Sequence, residues 1–219
     1  AQKFLDKEIE EAGRKALNEI GAKDVHVDLP KTIGRLKYRT SYGQNQLQHC
    51  LEVAQLSGLM AAEIGLDARI ARRAGLLHDI GKVSMQMCLE DSLDVIMAVI
   101  ESEVQEAQGQ SKLWANRVID IERMLMNDLD HQVIGGRIAE KWEMDDTMRA
   151  VISGHHDIQE HSPALAKLVA LANVGANCLY PYPATESQHP FPKLIERIDK
   201  GLKKSTKQGT EAIEEVINE

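Results

Sequence analysis

The sequence predicts an all-α protein, a single-domain helical bundle, and three observations carry that expectation. Aromatic residues make up only 4% of the chain while hydrophobic residues reach 43%. Leu, Ile, Ala, Val and Met supply that apolar content, which suits helix packed on helix better than a sheet built on aromatic and β-branched faces. Apolar positions also recur at helical spacing along most of the chain. At 219 residues it is long enough for one core without staples.

The elements follow in order. Phe4, Leu5, Ile9, Ala12, Ala16, Leu17 and Ile20 mark an amphipathic helix over 1–20, with Gly21 placed to end it. Val25-His26-Val27 leads as a turn or extended stretch to Leu29-Pro30, where Pro30 suits the opening of a short helix to about Leu36. Ser41 precedes an apolar run (Leu47, Leu51, Ala54, Leu56, Leu59, Met60, Ala62) read as a helix over 45–64 that carries His49 and stops at Gly65. Asp67 is a fitting N-cap for the next helix, whose Ile70, Ala71, Ala74, Leu76 and Leu77 run into His78-Asp79 before a break at Gly81. Over 84–130 two helices are expected, joined at Gln108-Gly109-Gln110. A helix over about 131–142 starts with His131, another over 146–157 ends in Gly154-His155-His156-Asp157, and a third over 163–178 follows Ser162-Pro163. A proline-rich loop then precedes two helices over 193–203 and 208–218. The expected organisation is an N-terminal helix and connecting segment over 1–40, a main domain over 41–183 with a helical insertion at 84–130, and a helical tail over 184–219 packing on it.

Charge and cysteine usage exclude some functions. A net charge of −8 argues against a broad electrostatic grip on a nucleic-acid backbone. Cys50, Cys88 and Cys178 form no Cys-x-x-Cys pair and are odd in number, so neither a zinc knuckle nor a disulfide framework is expected, and a reducing cytoplasm is the simplest home. No apolar run approaches the ~18 to 20 residues that span a bilayer. The sequence begins at Ala1 without a start methionine, as expected of a processed or excised chain.

The chemistry concentrates at His78-Asp79-Ile80-Gly81-Lys82. Adjacent His and Asp at the end of an apolar helix are costly to bury unless a cation uses them. His49 lies 29 residues before His78, His131 lies 53 residues after it, and His155-His156 follow 24 residues later. A lone mid-helix histidine is ordinarily a satisfied core residue, but five along one stretch beside a carboxylate form a candidate ligand set. Imidazole and carboxylate suit one or two divalent ions of the Mn, Fe, Mg, Ni or Zn type. Asp79 is placed to bridge two ions or orient a nucleophile, and Lys82 to offer an ammonium to a phosphate, although a solvated helix-end lysine is the plainer reading. The implied chemistry is metal-assisted hydrolysis of a phosphoester.

These residues resemble the HD superfamily of metal-dependent phosphohydrolases, in the subgroup reading His-Asp-Ile-Gly. The run from Gly34-Arg35-Leu36-Lys37-Tyr38-Arg39 through Asn45, His49, Glu52 and Val53, with Ala74-Gly75-Leu76-Leu77-His78-Asp79-Ile80-Gly81-Lys82, resembles the HD domains of the ribonuclease Y family. Asp130-His131-Gln132-Val133-Ile134-Gly135 with Trp142, then His155-His156-Asp157, look more like the HDOD and HD-GYP branches, of which HDOD domains are often signalling modules. The resemblance implies an HD-type bundle and a metal set of His49, His78 and Asp79, with a second set at His131, His155 and His156. Its closing aspartate falls here on Asn173, whose amide oxygen can ligate but brings no charge. No Gly-x-x-Gly loop of the KH type occurs.

The expected function is therefore a metal-dependent phosphohydrolase or phosphodiesterase acting on a nucleotide or RNA phosphoester, with Asp79 and Lys82 as catalytic groups. The alternative is a catalytically weak HDOD-like regulatory or scaffolding domain. Homodimerisation through helices at 1–20 or 84–104 is a further expectation, and no membrane partner is expected.

Overall fold

The computed structural model of the chain describes residues 2–23, 25–41, 44–88, 119, 120, 122, 123 and 126–179. Most of the insertion expected over 84–130, and the whole tail expected over 184–219, lie outside the described residues.

Helix α1 (Gln2–Glu19) buries Ile9, Ala16 and Leu17 against α2 (Leu29–Arg35), which opens on a buried Leu29-Pro30 as the fixed φ of proline favours. A short 3₁₀ turn (Leu36–Tyr38) leads into a minimal antiparallel ladder, β1 (Thr40–Ser41) with β2 (Gln44–Asn45), and then α3 (Gln46–Glu63). Asn45 caps α3 by accepting the Gln48 N–H. Helix α4 (Ala68–Leu77) begins at Asp67, whose carboxylate accepts the Arg69 and Ile70 N–H groups, as the sequence predicts. Helix α5 (Gly81–Cys88) follows a turn at 78–80; α6 (His131–Lys141), α7 (Asp146–Gly154) and α8 (Ala164–Leu179) complete the described elements.

Helices α1 and α3 end alike. The Ala22 N–H reaches the Leu17 carbonyl and the Leu66 N–H reaches that of Ala61, around Gly21 at φ +70° and Gly65 at φ +78°. Both are αL caps that glycine adopts without penalty. The cap of α6 is built the same way on Glu143, at φ +52°, with the Met144 N–H on the Ala139 carbonyl.

One core joins these helices. Val53, Ala54 and Ala61 of α3 meet Ala71, Ala74 and Leu77 of α4, while Val169, Ala172 and Ala176 of α8 close over α3. Small residues on all three helices permit close approach. Ala139 of α6 and Met148, Val151 and Ile152 of α7 extend the same cluster.

The helix ends differ from expectation in two places, both at the candidate site. The helix read as 146–157 stops at Gly154, so His155 is its C-cap and His156 and Asp157 lie beyond it. Gly81, read as a break, instead starts α5; the break is the His78-Asp79-Ile80 turn. A Cβ on Gly81 would collide with the His131 carbonyl and lie 2.7 Å from the Gly135 nitrogen. Glycine is needed there because two backbones touch, bringing α5 and α6 together around Asp79.

Candidate metal centre

Six helix termini and helix faces deliver the site. His49 comes from the first turns of α3, His78 from the C-cap of α4, Asp79 from the turn that follows, and Lys82 from the start of α5. His131 is the first residue of α6, held by the Asp130 cap whose carboxylate accepts the Val133 N–H. His155 and His156 follow α7, and Asn173 lies on α8. Asp79, at 1% exposure, sits at the middle of the cluster.

The imidazoles converge on Asp79. His78 Nε2 lies 3.3 Å and His49 Nε2 3.9 Å from Asp79 Oδ2, while His131 Nε2 lies 3.3 Å and His155 Nε2 3.6 Å from Asp79 Oδ1. Ligand atoms of two groups lie within 4.8 Å of one another: His49, His78 and Asp79 in one, and Asp79, His131, His155 and His156 in the other. Ligands on opposite sides of an ion with metal–nitrogen bonds of about 2.1 Å are about 4.2 Å apart, so this spread is close to that of a coordination sphere.

Hydrogen bonding from the far sides of the rings says what the near sides carry. His78 Nδ1–H donates to the Gly75 carbonyl at 2.7 Å, His155 Nδ1–H to the Val151 carbonyl at 3.3 Å, and His131 Nδ1–H to the Glu122 carboxylate at 2.5 Å. A neutral imidazole that donates from Nδ1 presents a bare lone pair at Nε2. His131 Nε2 and His155 Nε2 then face each other at 3.3 Å, and His78 Nε2 and Asp79 Oδ1 are buried without a hydrogen-bond partner. Electron-rich atoms gathered in this way, two of them buried without a hydrogen-bond partner, form a donor set that fits a divalent cation.

The electrostatics favour the ligand forms. Burial pushes the His49 imidazole down to about 3, helped by neighbouring His78, and burial likewise brings His155 to about 4. His156 is lowered too, by burial first and by His155 and His131 next. Burial would raise the Asp79 carboxyl, but His78 and the Lys82 ammonium outweigh it and hold the group well below the usual carboxylate range. Lys82 Nζ is 2.6 Å from Asp79 Oδ2 and donates to Gln46 Oε1 at 3.3 Å. Cys50, beside His49, is in no state to ligate, since burial and the Asp79 charge push its thiol well above its ordinary value.

Every sequence-predicted site residue lies in or beside the cluster. Asn173 is buried and acts on the His49 imidazole, while its Oδ1 accepts from Asn177 Nδ2 at 3.0 Å. Asp157 is an exposed bend residue that accepts from Gln159, in keeping with a turn role. The basic residues Arg35, Lys37 and Arg39 before α3 are engaged within the chain: Lys37 pairs with Glu8 at 2.6 Å and Arg39 donates to the Lys82 carbonyl. Sequence reasoning missed Glu122 and the glutamines Gln46 and Gln132, the latter accepting the His156 N–H at 2.9 Å. Glu122 left no distinct trace, being one of two acids, with Asp120, among Val118, Ile119, Ile121, Met124 and Leu125.

A helical bundle with clustered His and Asp at its helix ends defines an HD-type domain. Residues 39–158 match the HDOD domain family, and the chain belongs to it. It is also homologous to the HD region of ribonuclease Y: it is 36% identical over 199 residues to that of Lactobacillus gasseri, covering 91% of this chain and 29% of the relative. To that of Desulfotalea psychrophila it is 40% identical over 171 residues, 78% of this chain and 25% of the relative. The match to the Clostridium kluyveri protein reaches 48% over 118 residues, 54% and 22% of the two chains. The chain thus spans about a quarter of the length of these relatives. In fold it is similar to a solved protein from Shewanella amazonensis described as a candidate phosphohydrolase, with a TM-score of 0.51, 18% identity, and coverage of 81% of this chain and 68% of that one.

Proposed function

We propose that this domain is a divalent-metal-dependent phosphohydrolase, a phosphodiesterase acting on a nucleotide or RNA phosphoester. The observation that carries the reading is Asp79, which belongs to both candidate ligand groups and presents a buried, unpartnered oxygen to one of them. Such a shared carboxylate suits two neighbouring ions. His49, His78 and Asp79 would hold one ion, with the Asn173 amide as a neutral fourth group; Asp79, His131, His155 and His156 would hold the other. A nitrogen-rich set of this kind favours Mn, Fe, Ni or Zn over Mg.

Bound there, divalent ions supply Lewis-acid activation of water and neutralise charge on a phosphoryl group. The chain's own residues do the positioning. Asp79 orients the incoming water through its carboxylate. Lys82, already held against Asp79, adds a positive charge at the point where a phosphate would enter. Burial keeps the His49, His155 and His156 imidazoles neutral and therefore able to ligate. The ribonuclease Y relatives support an RNA phosphodiester as substrate, and the candidate phosphohydrolase supports phosphoester hydrolysis more broadly. A cytoplasmic location and a homodimer through α1, whose Phe4 is 75% exposed, belong to the same reading. No described helix is long and apolar enough to cross a membrane.

The test is metal content by mass spectrometry together with hydrolysis of bis(p-nitrophenyl) phosphate and of an oligoribonucleotide after Mn or Fe loading. Metal-dependent cleavage that Asp79→Ala abolishes supports the reading, and wild-type protein that takes up no metal overturns it. One observation favours a second reading, a regulatory domain with a weakened pocket: Asn173 stands where a closing carboxylate is expected. Stoichiometric metal without turnover on any phosphoester would select that alternative.

A further inference from the structure

His131 differs from the other anchored histidines in what holds it. His78 and His155 donate from Nδ1 to neutral backbone carbonyls, whereas His131 donates to a carboxylate, Glu122 Oε2, at 2.5 Å. The same oxygen accepts the backbone N–H of His131 at 3.0 Å. Glu122 is 7% exposed. The next residue repeats the link, since Arg123 Nε donates to Asp130 Oδ2 at 2.7 Å, so residues 122 and 123 clasp the start of α6 from outside the ligand groups.

We infer that Glu122 is a positioning residue for the His131-containing metal group, fixing the ring's tautomer and orientation and making His131 its strongest nitrogen donor. The inference rests on the proposed metal-dependent function. A carboxylate accepting from Nδ1–H draws that proton toward itself and enriches the electron density at Nε2. The two bonds from one oxygen act on different degrees of freedom. The backbone bond fixes where α6 begins, and the ring bond fixes the rotation of the imidazole toward Asp79 and His155. Other acids near the site do not share the role: Asp130 is committed to the helix cap and Arg123, and Asp79 is itself a candidate ligand.

The test compares wild type with Glu122→Gln, which keeps the shape and an acceptor oxygen but removes the charge. Metal is titrated under limiting conditions, and bound Co²⁺ is followed by its visible absorption. One of two ions should bind about 10 to 100-fold more weakly in the variant, with a shifted Co²⁺ band, while the other ion is unaffected. Equal affinity and an identical spectrum in a folded variant would overturn the inference. A second measurement needs only the wild-type protein: with Zn²⁺ bound, the proton on His131 Nδ1 should resonate far downfield, as a short charge-assisted hydrogen bond requires. An ordinary imidazole shift there would also overturn it. Wild-type protein that binds no metal at all would instead remove the function on which the inference rests.

Discussion

The α3–α4 side of the site and the α6–α7 side hold Asp79 between them by different means. On the first side stand His49 and His78, with Asn173 as the nearest added polar group and His49 Nδ1 buried without a partner. On the second stand three histidines, one tied to a carboxylate and one to a helix carbonyl, with the His156 N–H held by Gln132. On the proposed two-ion reading, the difference teaches that the signature His78-Asp79 pair would not decide which ion is held harder. Donor number and the anchoring of each ring would, and both favour the α6–α7 side.

The largest expected effect removes what the two sides share. Asp79→Ala should abolish binding of both ions and lower phosphodiester hydrolysis by at least about a hundredfold, on the scale of losing a main electrostatic partner of the transition state. Retention of one ion at wild-type affinity, measured by mass spectrometry after dialysis, would show that the two groups are independent. Next comes a change that forces the sides apart. Gly81→Ala places a methyl against the His131 carbonyl and should cost about 3 kcal/mol, lowering the melting temperature by about 6 to 12 °C. An unchanged calorimetric transition would mean that α5 and α6 yield easily.

Smaller effects separate the sides. His155→Ala should remove the tighter ion and leave the weaker, while His49→Ala should do the reverse, both read by isothermal titration; loss of the same ion in both variants would collapse the comparison. Asn173→Asp adds a charge to the weaker side and should tighten that ion by about tenfold, or about 1.4 kcal/mol. No change in a metal-loaded protein would place Asn173 outside the coordination sphere.

Acid tests both sides at once. His49 and His155 titrate at about 3 and about 4 in the folded chain against an ordinary 6.5. The unfolded chain therefore binds more protons between these values, and the stability these neutral rings contribute is present above the ordinary value and lost as pH falls below it. The metal-free protein should melt progressively earlier from about pH 7 to about pH 5. A flat profile would mean that the rings are already charged when buried.

Much of this was legible in the sequence because the relevant signals are local. Asp67 and Gly65 mark helix ends by their own chemistry, and Ala71, Ala74 and Leu77 of the run read on α4 lie in the core as expected, whereas the run read on α3 falls beside its buried face: of it only Ala54 is fully buried and Leu59 is 66% exposed. The misreadings fall where tertiary contact overrode local preference. Gly81 reads as a break along the chain, yet its reason is the α6 backbone 50 residues away at His131. His155 and His156 carry no signal that would end a helix at Gly154; ending it there turns both rings toward His131, with centroids at 5.3 and 5.1 Å. Glu122 was invisible as a partner because its hydrogen bond depends on how the chain returns to the start of α6, which periodicity does not encode.

The stacking of Trp142 on His26, with ring centroids 4.7 Å apart and planes 13° from parallel, makes one side of the site optically observable. Trp142 closes the helix that His131 opens, so the indole and the imidazole are the two ends of one rigid rod. Any shift of α6 when His131 takes a ligand changes the overlap of the indole with its imidazole neighbour, and with it the quenching of tryptophan emission. The chain has two tryptophans, and Trp114→Phe would leave Trp142 as the sole fluorophore, a built-in gauge of occupancy that needs no dye and no substrate.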